Sequence, residues 1–380
     1  MASSGLTEGP LQPTDVSTTA ASRPRLRVLH VGPDPQGDGG MATVIGGLLA
    51  SSLAGRHRLE VLPTYRTSGP LRRLAVFLRA LVRLIMWCAG PGARIVHIHM
   101  TVRGSMYRKT ILVASAKALR RPVVLHVHAG AAELETFHAR LGGVRRVVLR
   151  YGIGLADLVL SVSSAGARAL GDCFGRSDVA VVPNAAPPVT TRPSRSHARG
   201  GEAVTLLYLG GFANPVKGGA VLIEALASLA PAMPAMRVLL AGPGEPPSSA
   251  GALLDGAMPV RWLGWLDEKA KAAALADSDL FVLPSISEGL PMALLEAMAN
   301  GLAVVATDMG GVPDVLTDGV DGVVVPPEDP DSLASAIRSL VDRPDRRTEL
   351  AAAARARAEE LGEVQVAARL DAIYQELALA

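Results

Sequence analysis

No run of about 18 consecutive apolar residues occurs in this sequence, so no segment reads as a bilayer-spanning helix. The first 24 residues (MASSGLTEGPLQPTDVSTTAASRP) are polar, lack the apolar core of an export signal and read as a disordered tail. Only two cysteines are present, Cys88 and Cys173, both in apolar or helical surroundings. That argues against a disulfide framework or a thiolate metal site and fits a reducing cytoplasm. Lysine is scarce, five residues against 33 arginines, which gives weight to any lysine in a suggestive place. No G-x-G-x-x-G follows a strand, and no acidic residue closes the second strand as a dinucleotide fingerprint requires, which counts against a nicotinamide cofactor.

What is there is core. A chain of 380 residues, 49% hydrophobic and 19% charged, has the length of about two domains. Val-, Leu- and Ile-rich runs (RLRVLHV, RLEVLP, RIVHIH, PVVLHVH, ADLVLSVS, VAVVPN) alternate with helical patterns up to residue 186. The stretch 187–203, with three prolines and three arginines, reads as a linker, and the alternation then restarts with TLLYLG, MRVLLAG, VRWLGW, DLFVLPS, AVVATD and GVVVPP. Near-continuous apolar strands between helices predict parallel sheets covered on both faces. The expectation is an α/β protein with two doubly wound Rossmann-like domains, 25–186 and 204–362, facing a central cleft, and a C-terminal helix over 363–380 packing back on the first domain. Charge divides with the halves: residues 1–200 hold 26 Lys and Arg against 10 Asp and Glu, residues 201–380 hold 12 against 25. Either the halves attract one another or the basic half meets an anionic partner, a membrane surface, a lipid phosphate or nucleic acid.

Ligands of such sheets gather at the carboxyl ends of strands, so the candidates lie just after strands. The GDGG turn at 37–40 places Gly39 and Gly40 before a helix, where backbone can approach a phosphate; an ordinary glycine turn is the plain alternative. His128 closes the fourth strand; His126 is expected on the opposite face from it, and His97 likewise from His99. With no helical His spacing and no carboxylate cluster, a metal site is not expected. Gly210 and Lys217 follow the next strand, where the lysine places a point charge on a phosphate or is a solvated surface residue. A helix is expected over about 291–300, opened by Pro291 and closed by Gly301. Glu288, Gly289 and Leu290 then sit at its start, and Glu296 inside it, where a buried carboxylate needs hydroxyls, amides or a cation. A ribose diol would serve; an internal cap or exposure to solvent is the alternative. Asp277-Ser278-Asp279 mimics a metal-binding D-x-D but leads into a strand instead of closing one, and is discounted.

Taken together, Ser287-Glu288-Gly289-Leu290-Pro291 through Glu296-Ala297-Met298-Ala299, then GGVPDVL (310–316) and DGVDGVVVPPEDP (318–330), resembles the glutamate-x7-glutamate region of the family 4 retaining glycosyltransferases of the GT-B fold. The glycine turn, His128, VVPNA and Lys217-Gly218 come in that family's order. The resemblance implies sugar transfer from a UDP- or GDP-sugar with retention of configuration, without a metal or other cofactor. It implies catalytic roles for Glu288, Lys217 and His128, with Glu288, Gly289 and Leu290 at the donor sugar and Glu296 at the ribose. Lys217 would lie at the diphosphate, Gly40 at the distal phosphate and His128 at the sugar near its 6-hydroxyl, with Gly39 and Gly210 also binding the donor. Three positions depart from the pattern: Gly211 stands where an arginine is common, Asp314 where glutamate is usual, and Asn184-Ala185 where Asn-Gly is usual.

The acceptor, a glycan or a lipid-linked species, is expected on the basic half. In LRRLAVFLRALVRLIMWC (71–88), Arg72, Arg79 and Arg83 fall on one stripe, with Leu74, Phe77, Leu81, Leu84 and Ile85 on the other side, which is expected to pack on the sheet. With Arg145, Arg146 and Arg150 they suggest peripheral attachment to an anionic membrane at its cytoplasmic face, and not nucleic acid. The expected role is polysaccharide or glycolipid assembly in a bacterial cell envelope. The alternatives are a catalytically silent partner of another transferase, motivated by Gly211, or a sugar-nucleotide epimerase or hydrolase of the same fold.

Overall fold

The computed structural model describes residues 24–379 except 38, 66–68, 189–202, 234–235, 255 and 257. The polar tail up to residue 23, most of the linker and Asp38 of the glycine turn therefore lie outside the described residues. Each apolar run named above forms a strand. Those of the first half are β1 (Arg27–Gly32), β2 (Arg58–Pro63), β3 (Arg94–Met100), β4 (Val123–Val127), β5 (Leu158–Ser161) and β6 (Val179–Val181). Those of the second are β7 (Thr205–Tyr208), β8 (Arg237–Leu240), β9 (Val260–Trp262), β10 (Leu280–Leu283), β11 (Ala303–Thr307) and β12 (Val323–Val325). The sheets run in the orders β2-β1-β3-β4-β5-β6 and β12-β11-β10-β7-β8-β9, with every named pair parallel. Both are doubly wound, and the order reverses between β1 and β3 in one and between β7 and β10 in the other.

Helices on both faces explain why the strands are apolar throughout. All seven residues of β3 are buried. On one face Val31, Ile98 and Leu125 pack under helices Pro70–Ala89, Gly104–Ala118 and Gly143–Gly154. On the other, Val28, Ile95 and Val124 pack under Gly40–Ala50 and the C-terminal helix Glu363–Leu379. That last helix lies on the first sheet, far in sequence from the strands it covers. Asp371 accepts from Arg56 at 2.8 Å and from His57 at 2.9 Å, and Tyr374, fully buried, meets His97 Nδ1 at 2.5 Å.

Two sequence expectations are corrected here. Leu74 and Ile85 do not pack on the sheet but are 54% and 42% exposed, because the contact stripe of helix Pro70–Ala89 runs through Phe77, Ala80, Leu84 and Cys88 and is narrower than the apolar arc. The histidines of β3 and β4 do not alternate in pairs. Residues two apart on a strand share a face, so His97 and His99 stack with ring centroids 4.4 Å apart, and the rings of His126 and His128 lie 4.4 Å apart at a 35° tilt.

Lys109 is a buried amine with no carboxylate partner among the described residues: its Nζ donates to Val31 O at 3.0 Å and to Thr64 Oγ1 at 2.6 Å, joining the ends of β1 and β2. Burial pushes its pKa from 10.5 down to about 7. Between those values the unfolded chain holds the proton and the folded chain releases it, so stability from this group increases with pH across that window and is lost as pH falls to 7. Thermal melts from pH 7 to about pH 10 should therefore show wild type gaining on Lys109→Met by roughly 3 kcal/mol; a constant difference would contradict it. Asp371→Ala leaves His57 buried without its partner and should cost about 3 kcal/mol in a urea titration, with loss below about 1 kcal/mol counting against the helix as a structural strap.

Candidate active site

The carboxyl ends of the two sheets face each other across a cleft of about 860 Å³. Its walls include Gly39, Gly40, Thr101, His128 and Asn184 from the first half and Gly210, Lys217, Glu288, Gly289, Leu290 and Glu296 from the second. The loops at both reversal points, after β1 and β3 and after β7 and β10, contribute to it, which is where an open parallel sheet leaves room for a ligand. Every donor-side residue singled out in the sequence thus lines one cavity.

Lys217 ends a short turn, Pro215–Lys217, and its Nζ donates to Glu288 Oε1, which Ser285 Oγ also approaches at 3.4 Å. The lysine's backbone is fixed from below. Tyr208, at the end of β7, donates its buried hydroxyl to Gly211 O at 2.7 Å and lies 3.2 Å from Lys217 O. Burial, then the Glu288 charge, raises the Tyr208 pKa above the ordinary phenol range, so it stays a donor.

Glu296 is 9% exposed and sits within helix Met292–Ala299, which starts one residue later than expected because Pro291 is extended and serves as the N-cap. Its partner is Lys271, whose Nζ donates to Glu296 Oε1 at 2.8 Å and to Glu268 Oε1 at 3.1 Å. Burial raises the Glu296 pKa and Lys271 opposes the rise; Lys271 itself is held above its ordinary value, against burial, chiefly by Glu296. The carboxylate lodged among leucines is therefore neutralised by a lysine 25 residues earlier, while its side chain still reaches the cleft wall. Lys271 was missed in the sequence; its signal was its membership in a set of five lysines.

Five histidines line one face of β1, β3 and β4. Burial takes His30 down to about 3 and His126 to about 4, and holds His97, His99 and His128 well below the usual imidazole range, so all are neutral at pH 7. His30, His97 and His99, and again His99, His126 and His128, each bring three ring nitrogens within 4.8 Å of one another, a grouping the sequence reading did not anticipate. Neither trio includes a carboxylate or thiolate among the described residues. Ring nitrogens of His30, His99 and His128 already bond one another, as neutral imidazoles do.

The cleft is closed at one end by backbone contact. A Cβ at Gly130 would lie 2.4 Å from Glu288 O, and one at Gly289 2.5 Å from His128 O, so glycine at both positions is what lets the loop after β4 touch the loop after β10. Asn184 Nδ2 donates to Leu290 O at 2.8 Å, and Asp314 Oδ2 accepts from Ser164 N at 2.7 Å, at the start of helix Ser164–Phe174. The asparagine of VVPNA and the aspartate in place of glutamate thus both join the halves. Gly211 has φ 65°, and a Cβ there would lie 2.4 Å from Pro243 O. This backbone admits no arginine at that position.

Glu133, also unforeseen, bonds Gly130 N at 3.2 Å, and its pKa is raised by burial and, after that, by the Glu288 charge. Asp279 accepts from Thr205 N at 2.9 Å and so serves the sheet. Arg72, Arg79, Arg83, Arg145, Arg146 and Arg150 do not join the cleft; all are exposed, on two helices of the first half.

Comparison with known proteins agrees with this architecture. A family model described as a glycosyl transferase 4-like domain matches residues 18–185, and one described as glycosyl transferases group 1 matches 203–343. The phosphatidyl-myo-inositol mannosyltransferase of Mycolicibacterium smegmatis is 34% identical over 175 residues, 46% of this chain and 45% of that protein. That of Mycobacterium tuberculosis is 29% identical over 254 residues, 66% of this chain and 64% of that protein. The match thus spans less than two thirds of either relative. In fold, the chain resembles a sucrose-phosphate synthase from Thermosynechococcus elongatus (TM-score 0.73, 20% identity, 93% of this chain and 99% of that one). It also resembles HepE of Anabaena in complex with UDP and glucose (TM-score 0.67, 19% identity, 92% and 99%). With one model on each sheet and the same two-sheet architecture in the solved structures, the chain belongs to the family 4 glycosyltransferases of the GT-B fold.

Proposed function

We propose that this chain is a retaining, metal-independent glycosyltransferase that moves a sugar from a UDP- or GDP-sugar to a hydroxyl of a lipid-linked or glycan acceptor at the cytoplasmic face of a membrane. The observation that carries the reading is one cleft in which Lys217, Glu288 and Glu296 face His128 and the Gly39-Gly40 turn. In this reading the ribose hydroxyls bond the Glu296 carboxylate, and the diphosphate draws Lys217 from Glu288, freeing Glu288 for the sugar. The bond from C1 to the diphosphate breaks, the acceptor oxygen bonds C1, and its proton passes to the departing diphosphate. Lys217 and the amides of Gly289 and Leu290 meet the charge that develops there, in a site shielded from water. The mannosyltransferase names of the relatives and the UDP and glucose held by HepE support a nucleotide-sugar donor. Gly211 leaves Lys217 without the second cation common in the family, which favours weaker donor binding, or a silent partner if turnover proves absent.

Membrane attachment is supported by the outer helices. Leu71, Leu78, Val82 and Met86 are 50–83% exposed beside Arg72, Arg79 and Arg83, and Val144, Val147, Val148 and Tyr151 are 51–80% exposed beside Arg145 and Arg146. An apolar strip flanked by cations fits an anionic bilayer surface, with no helix among the described residues long and apolar enough to cross it.

Calorimetry with UDP, GDP and ADP should show one nucleotide class binding wild type and at least tenfold weaker binding to Glu296→Ala, since charge-assisted hydrogen bonds contribute about 1.5–3 kcal/mol; no binding by any of them would end the donor reading. Lys217→Ala should lower kcat by about 10²–10³ with the fold retained by circular dichroism. In liposome flotation, wild type should rise with anionic vesicles at low salt, and the triple change Arg72→Glu, Arg79→Glu and Arg83→Glu should abolish it, at about 1 kcal/mol for each arginine removed. Equal flotation of the two proteins would remove these helices as the membrane face.

A further inference from the structure

Three imidazoles run in one hydrogen-bonded file from the first sheet to the cleft. His30 Nδ1 lies 3.0 Å from His99 Nε2, and His99 Nδ1 lies 3.0 Å from His128 Nε2. A neutral imidazole carries one N–H, and each contact needs one proton, so the file runs in one of two directions. In one, His128 donates from Nε2, His99 donates from Nε2, and the His30 proton is left on Nε2. That atom is buried without a partner among the described residues, so the file would end in an orphaned donor. In the other, His30 and His99 both donate from Nδ1, and His128 keeps its proton on Nδ1. The buried orphan is then a lone pair, which costs less than a stranded N–H.

The cleft end is compatible with the same direction. Asn184 spends its Nδ2 on Leu290 O, which turns its Oδ1 toward other partners, and that oxygen has none among the described residues. Asn184 favours a proton on His128, and His128 Nε2 is already engaged with His99 Nδ1.

We propose that His30 and His99 are positioning residues that hold His128 as its Nδ1–H tautomer, so that it meets the occupant of the cleft as a hydrogen-bond donor. The occupant must then present an acceptor oxygen at that point, as a sugar hydroxyl does. Free histidine favours the other tautomer, so the file imposes a state the residue would not adopt alone. The consequence for turnover rests on the reading of the cleft as a donor-sugar site; the tautomer is a property of the protein without ligand.

The test is ¹⁵N NMR of histidine-labelled, ligand-free protein, with His128 assigned by the signals lost in His128→Gln. Nδ1 of His128 should show the protonated shift and Nε2 the unprotonated one. His30→Leu removes the first donor and should move His128 toward Nε2–H, lowering kcat/KM about tenfold, the size of one lost hydrogen bond, with nucleoside diphosphate affinity unchanged. His30→Asn keeps an N–H near the Nδ1 position and should restore both readouts, which a merely structural role for His30 would not require. Wild-type His128 protonated on Nε2 overturns the proposal whatever the variants do. A changed tautomer with unchanged turnover overturns its catalytic part. If no donor sugar turns over in any variant, the reading of the cleft fails, and the wild-type spectrum still decides the tautomer.

Discussion

The backbone contact between the loop after β4 and the loop after β10 sets the geometry of everything in the cleft. It brings His128 from one half and Glu288 from the other to one space. A Cβ at Gly310 would lie 1.9 Å from Glu288 O, so that carbonyl is pressed by glycine backbone from the loop after β11 as well as from Gly130. Contacts of this kind have no slack, because backbone atoms cannot rotate aside as a long side chain can. Asn184 to Leu290 and Ser164 to Asp314 extend the seam with directed hydrogen bonds. Domain motion in this molecule would break backbone contacts and directed hydrogen bonds along this seam.

The second organising feature is the division of labour between cations. Lysines 109, 217 and 271 each take an inward post: one under the ends of β1 and β2, two on the glutamates of the cleft. The arginines of helices Pro70–Ala89 and Gly143–Gly154 stay outside. A lysine suits an enclosed post because one compact ammonium is satisfied by two or three oxygens, whereas a guanidinium has five N–H groups to place. Two of these lysines meet carboxylates that also face the cleft, so an arriving anion competes with a glutamate instead of meeting a bare charge.

Much of this was legible in the sequence, and the reason is physical. Strands covered on both faces must be apolar at every position, so all the named runs proved to be strands; and loops after such strands are where glycines, Lys217 and Glu288 had to fall. What was not legible depends on contacts across the chain. Lys271 is 25 residues from Glu296, and Ser164 is 150 from Asp314, and no local pattern records either pairing. The face of the histidines was misjudged although period-two alternation contains the answer: residues 126 and 128 must lie together. Leu74 and Ile85 were misplaced because an amphipathic arc gives the apolar residues of a helix but not how much of that arc its neighbour covers. Gly211 looked like a missing cation; its φ of 65° and the closeness of Pro243 show a backbone that calls for glycine there.

The C-terminal helix has a consequence for how the molecule is made. Tyr374 and Asp371 seal a face of the first sheet, yet they are synthesised after the whole second half. As the chain leaves the ribosome, the histidine-lined face of β1, β3 and β4 stays without its lid while nearly 200 further residues are added. The first half therefore cannot complete its core in the usual order of one domain after another. It must wait for helix Glu363–Leu379, and during that wait an apolar, imidazole-rich surface is open to chaperones or to a neighbouring nascent chain.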